Sequence, residues 1–157
     1  MSAVSPCPAP CPAVAIPNLL YAYGEAIDAG DFAAAAALFA RGTLRLGGRV
    51  ITQPVQMAAM WQGWIKLHHG SPRTRHIISN PIIEVAADGQ SASCRSVWTV
   101  VQAAPGFALQ VVASGRYQDR FVLENGAWHF TERHFVGIDL MGDVSEHMLR
   151  PVKEVEA

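Results

Sequence analysis

"SGRYQDRFVLENGAWHFTERHFVG", residues 114–137, is the stretch on which the fold turns. Two runs with the period-two alternation of strands flank Asn125-Gly126, a dipeptide suited to a tight hairpin turn. In the first run Tyr117 and Asp119 share a face with Ala113 and Gly115, whose small side chains leave room beneath the tyrosine. In the second run Arg133 shares a face with Thr131 and Phe135, and Glu132 points to the other. Asp119 is thus the favoured partner for Arg133 in a structural ion pair, because buried arginines are normally paired. A pocket role for Arg133 stays equally open.

Moving upstream, the same period recurs. "TRHIISNPIIEVAA" (74–87), "SASCRSVWTVVQAA" (91–104), "FALQVVASGRYQDRFVLE" (107–124) and "AWHFTERHFVGI" (127–138) are four long strands separated by Asp88-Gly89, Pro105-Gly106 and Asn125-Gly126. Connections this short join antiparallel neighbours. Before them, "TLRL" and "RVIT" form a short hairpin about Gly47-Gly48. "QPVQMAAMWQGWIKLHH" reads as a helix with Pro54 in its first turn, stopped by "GSP" at 70–72.

The chain opens with two further helices. Pro17 suits a first turn, and Leu19, Leu20, Tyr23 and Ile27 follow at helical spacing until Gly30 supplies the stop. Asp31 is then an N-cap for "FAAAAALFA". Asp28 has no such local task. It lies near a helix C-terminus, where the macrodipole disfavours an anion, so its carboxylate points to something beyond the helix.

The expected architecture is α+β: helices first, then a long curved antiparallel-rich sheet wrapped around them as a cone, enclosing a pocket. A sheet packed flat on the helices, with no hollow, is the competing outcome. Residues 1–16, rich in proline and holding Cys7 and Cys11, read as a disordered tail; 17–143 form the domain; 144–157 are an extension with a short helix from Val144 to Leu149.

With 157 residues, 50% of them hydrophobic and a net charge of −1, the chain reads as one domain with a generous core. It has no basic run to suit nucleic acid or anionic membrane and no apolar run near the ~18 residues of a membrane helix. The tail lacks the charged start of a signal peptide, so a cytoplasmic location is expected. Two thiols on a tail are too few for a metal, and Cys94 reads as a small core residue. His68-His69 looks solvated, and His129 and His134 look like edge or interface positions.

His76 falls on one strand face with Thr74 and Ile78. The order "YGEAIDAGDF…LFARG", "TRHIISN", "SGRYQDRFVLENGAWHFTERHFVG" resembles the SnoaL-like branch of the nuclear transport factor 2-like superfamily over about residues 17–140. The resemblance implies a conical α+β barrel with a deep hydrophobic pocket. Two enzymes of that superfamily, scytalone dehydratase and lindane dehydrochlorinase, are similar in pairing an aspartate at the end of the first helix with a histidine early in the first long strand. Those positions fall on Asp28 and His76, and the dehydrochlorinase's last-strand arginine falls on Arg133. Its first-helix lysine falls near Tyr23, and the dehydratase's second histidine has no clear counterpart.

The resemblance implies a cofactor-independent lyase or isomerase: a dehydratase, dehydrohalogenase or polyketide cyclase-like enzyme on a small apolar cyclic or polyketide-like molecule. His76, Asp28 and Arg133 would be catalytic, with Tyr23, Tyr117, Trp61, Trp64, Trp98 and Phe135 at the substrate and no metal or other cofactor. It also implies a homodimer or homotrimer. The alternatives are a non-catalytic binder of a hydrophobic ligand and an assembly protein like the small subunits of ring-hydroxylating oxygenases.

Overall fold

The computed structural model describes residues 10–150. Helix α1 spans Pro12–Ala29, α2 Phe32–Ala37 and α3 Pro54–Trp64; the strands are β1 Thr43–Leu46, β2 Arg49–Ile51, β3 Thr74–Val85, β4 Ser91–Ala104, β5 Phe107–Glu124 and β6 Ala127–Met141. They form one open sheet in the order β2-β1-β6-β5-β4-β3. The meander β3–β6 is antiparallel, as the turn dipeptides require, whereas β1 runs parallel to β6 with Leu44 opposite Arg133. That parallel pair joins segments far apart in sequence, and no local pattern announces it.

Helix α1 starts earlier than proline content suggests. Cys11 is its N-cap residue, Pro12 occupies the first turn, and Pro17 lies inside the helix rather than at its start. An interior proline costs about 3 kcal/mol or more. Against this, Ile16 and Pro17 are both buried, and Ile16 continues the stripe of Leu20, Tyr23 and Ile27 into the core. The indole of Trp128 also donates to the Pro10 carbonyl at 3.3 Å, pinning the chain just ahead of the helix. Residues 10–16, expected within a disordered tail, are therefore ordered; Cys7 lies outside the described residues. At the other end Gly30 adopts φ 75°, and the Asp31 carboxylate caps α2 by accepting from the Ala34 N–H at 2.9 Å.

Helix α3 stops at Trp64, short of the expected 69. Ile65 instead pairs with Met148 in an antiparallel bridge, Lys66 N–H donates to the His147 carbonyl at 2.9 Å, and Leu149 N–H donates to the Trp64 carbonyl at 2.8 Å. Residues 145–147 are accordingly a turn and Met148 a bridge, not the helix expected over 144–149; pairing with 64–66 satisfies the His147 carbonyl and the Leu149 N–H. Register shifts at Ser79/Ile82, Val100/Val101 and Ser114/Gly115 bend the long strands. The core is shared between all three helices, Leu44 and Ile51 of the β1–β2 hairpin and the inner faces of β4–β6.

Candidate active site

Cross-strand register arranges the inner face in tiers. His76 stands opposite Val100, which stands opposite Ala113. Trp98 is paired with Gly115; Tyr117 lies between Ser96 and Phe135; Asp119 lies between Cys94 and Arg133. Each tier points inward because opposed residues share a face. Gly115 is needed here: a Cβ on it would run into the Gly137 carbonyl and lie 2.6 Å from the Trp98 ring.

The tier at the top meets α1. Asp28, 7% exposed, accepts three hydrogen bonds: from Thr74 Oγ1, the His76 backbone N–H and His76 Nδ1, each at 2.7 Å. A carboxylate only accepts, so Nδ1 carries the hydrogen and Nε2 of the neutral ring is left with its lone pair. Burial alone would raise the Asp28 carboxyl, but the His76 contacts, with Thr74, outweigh it and hold it below the usual carboxylate range. Asp28 stays ionised. The close approach of α1 to β3 depends on Gly24, where a Cβ would lie 3.1 Å from that of His76.

Beside this pair is a hollow of about 410 Å³. All six aromatic residues expected at the substrate, Tyr23, Tyr117, Trp61, Trp64, Trp98 and Phe135, line it together with His76. The flat, hollow-free packing is thus excluded. Trp98 and Tyr117 stack with centroids 5.9 Å apart, and Tyr23 meets both Trp61 and Tyr117 edge-on. Burial pushes the Tyr23 hydroxyl up to about 12, partly offset by Arg133, and raises that of Tyr117 as well, so both phenols stay protonated.

Arg133 does not reach the hollow, contrary to expectation. It is 0% exposed and grips Asp119 through Nε and Nη2, both at 2.8 Å. Its guanidinium carbon sits 3.9 Å from the Tyr117 ring centre and 4.5 Å from that of Tyr23, so the two tyrosines stand between it and the cavity. Burial works against both charges and raises the Asp119 carboxyl; for Arg133 the Asp119 charge overrides burial and the guanidinium stays protonated. The physical reason is register: β6 pairs Arg133 with Asp119, one tier below Phe135 and Tyr117.

Sequence reading missed His147, which lines the hollow from the segment after β6. Its Nδ1 is sealed from solvent and has no hydrogen-bond partner. Burial, reinforced by nearby His76 and opposed by Asp28, lowers its pKa to about 4. No periodicity exists in that segment to reveal it. Thr74 was legible, sharing a strand face with His76. His68 is not solvated: its side chain is 12% exposed, and Nε2 lies 2.9 Å from the Glu146 carbonyl. Among the described residues no group of three or more His, Cys, Asp or Glu converges to hold a metal ion, and no helix is long and apolar enough to cross a membrane.

Open curved sheet, capping helices and a buried histidine–aspartate pair at an apolar hollow define an α+β protein of nuclear transport factor 2-like fold. The SnoaL-like domain model matches residues 13–134, and the chain belongs to that family. Among solved structures it is similar to Rv3472 of Mycobacterium tuberculosis, a protein of unknown function, with 25% identity and a TM-score of 0.66 over 81% of this chain and 71% of that one. It is also similar to ActVI-ORFA of Streptomyces coelicolor (21% identity, TM-score 0.66, 81% and 96% covered). A putative scytalone dehydratase of Novosphingobium aromaticivorans gives 21% identity and a TM-score of 0.64, with 82% and 85% covered. No curated protein matches the sequence.

Proposed function

We propose that the chain is a cofactor-independent lyase or isomerase that removes a carbon-bound proton from a small, apolar, ring-sized molecule. The observation carrying this reading is the buried Asp28–His76 contact of 2.7 Å beside an apolar hollow of about 410 Å³. His76 Nε2 takes the proton, the carbon–hydrogen bonding pair stays on the substrate, and ionised Asp28 stabilises the imidazolium through Nδ1–H. Loss of water or halide then completes an elimination, and return of the proton to another carbon completes an isomerisation. The structural similarity to a putative scytalone dehydratase supports this class.

Exchange of an acidic carbon-bound proton requires no knowledge of the product. With 2-tetralone in D2O, loss of the proton signal next to the carbonyl should be faster with the protein than with His76→Gln by about 10²–10⁴-fold, the usual contribution of a positioned base. Equal rates would remove the proposal. A non-catalytic binder, the second reading favoured by the apolar lining, would hold the ketone while leaving its exchange rate unchanged.

A further inference from the structure

The hollow holds a second imidazole that the Asp28–His76 pair does not employ. His147 is brought there by a segment fixed on three sides. Its backbone pairs with 64–66; the Gln102 amide donates to the Glu146 carbonyl at 2.8 Å and to the Pro72 carbonyl at 2.9 Å; Lys66 Nζ donates to the Glu146 carboxylate at 2.8 Å. Two side-chain anchors on Glu146, the residue just before it, and the backbone pairing of His147 and Leu149 themselves give His147 a defined position instead of leaving it on a free loop.

Its protonation follows from its surroundings. A neutral imidazole has one donor and one acceptor nitrogen. Nδ1 is sealed and unpartnered, and burying an unpaired donor is the rarer arrangement, so the hydrogen belongs on Nε2. The charged form is opposed by burial and by the neighbouring His76. The ring therefore stays neutral while His76 becomes an imidazolium, and it keeps an N–H on the edge not sealed into the wall.

We propose that His147 is a further catalytic residue of this site: its Nε2–H donates a hydrogen bond to a carbonyl oxygen of the substrate and holds the negative charge that gathers there. In the balanced step, the carbon–hydrogen bond breaks and its proton joins His76 Nε2. The released pair forms the carbon–carbon double bond of an enolate, and the former carbonyl electrons move onto the oxygen facing His147. This rests on the reading of His76 as base and adds a substrate class, ring-sized ketones or their vinylogues. A hydrocarbon or halocarbon would have nothing for His147 to hold.

The test compares 2-tetralone with tetralin, which lacks the oxygen, in the full-length protein. The intact protein should bind the ketone about ten-fold more tightly, as one buried hydrogen bond warrants. His147→Phe should bind tetralin as before and lose the preference; His147→Gln, which keeps an amide donor, should retain most of it; His76→Gln should retain it in full. On histidine labelled with ring nitrogen-15, the wild-type His147 should show the Nε2–H tautomer at neutral pH and a shifted Nε2 resonance with 2-tetralone. This readout holds even where a variant fails to fold. A preference that survives His147→Phe, or an Nε2 resonance indifferent to the ketone, overturns the inference while His76-dependent exchange leaves the base assignment standing. Failure of the wild type to bind either compound overturns both.

Discussion

At the scale of single residues, Asp28 does more than orient an imidazole. Three donors converge on it, so Asp28→Asn should leave at least one of them facing an amide N–H. A loss of about 1–3 kcal/mol in unfolding free energy is expected by denaturant titration, which also means that its effect on turnover must be judged beside its effect on folding. The two perturbed groups act at different pH. Asp28, depressed in the folded state, contributes stability that is complete above the unfolded carboxyl value of about 3.9 and is lost as pH falls through the lower folded value. His147 titrates near 6.5 when unfolded and about 4 when folded, so the unfolded chain binds the extra proton between them. Stability should thus fall by on the order of 3 kcal/mol as pH drops from about 6.5 to about 4. His147→Phe should flatten that part of the curve in thermal scans; an unchanged slope would mean that His147 is not the group responsible. Sequence alone made Asp28 conspicuous because its carboxylate opposes the helix dipole. His147 offered no comparable signal, since its role arises from a bridge between residues remote in the chain.

At the scale of elements, strand register sets which charges meet substrate and which meet each other. Arg133 lies opposite Asp119 across β5 and β6, beneath two tyrosines, and its burial makes it a structural cation. Arg133→Met should cost about 3–5 kcal/mol because it strands the Asp119 carboxylate, and Asp119→Leu added to it should recover much of the loss. Chemical denaturation of the single and double variants separates these outcomes. The β5 glycine beneath Trp98 is equally positional. Gly115→Ala should destabilise by about 1–3 kcal/mol and move the indole that floors the hollow, seen as a changed tryptophan fluorescence. The strand faces of Tyr117, Asp119 and Arg133 were legible from alternation, and they favoured Asp119 as partner. Whether Arg133 also touched the cavity was not, because that depends on how Tyr23 of α1 packs across the sheet.

At the scale of the whole molecule, the sheet face turned away from the hollow leaves Ile77, Ile82 and Val111 exposed. The family resemblance implies that such a face is covered by further copies of the chain. Sedimentation equilibrium should give a dimer or trimer mass that Ile77→Lys lowers, and a monomer at all concentrations would reject this expectation. The sequence by itself determined the α+β order, the four-strand meander and the strand faces that His76 and Tyr117 share with their neighbours. Turn dipeptides and period-two alternation are local properties, and they act before any long-range contact exists. Only the tertiary structure decided that α1 begins at Pro12, that β1 runs parallel to β6, that Arg133 is walled off and that His147 enters the hollow. Each of these depends on the free energy of contacts between segments distant in the chain, which outweighs local preference once the core has closed.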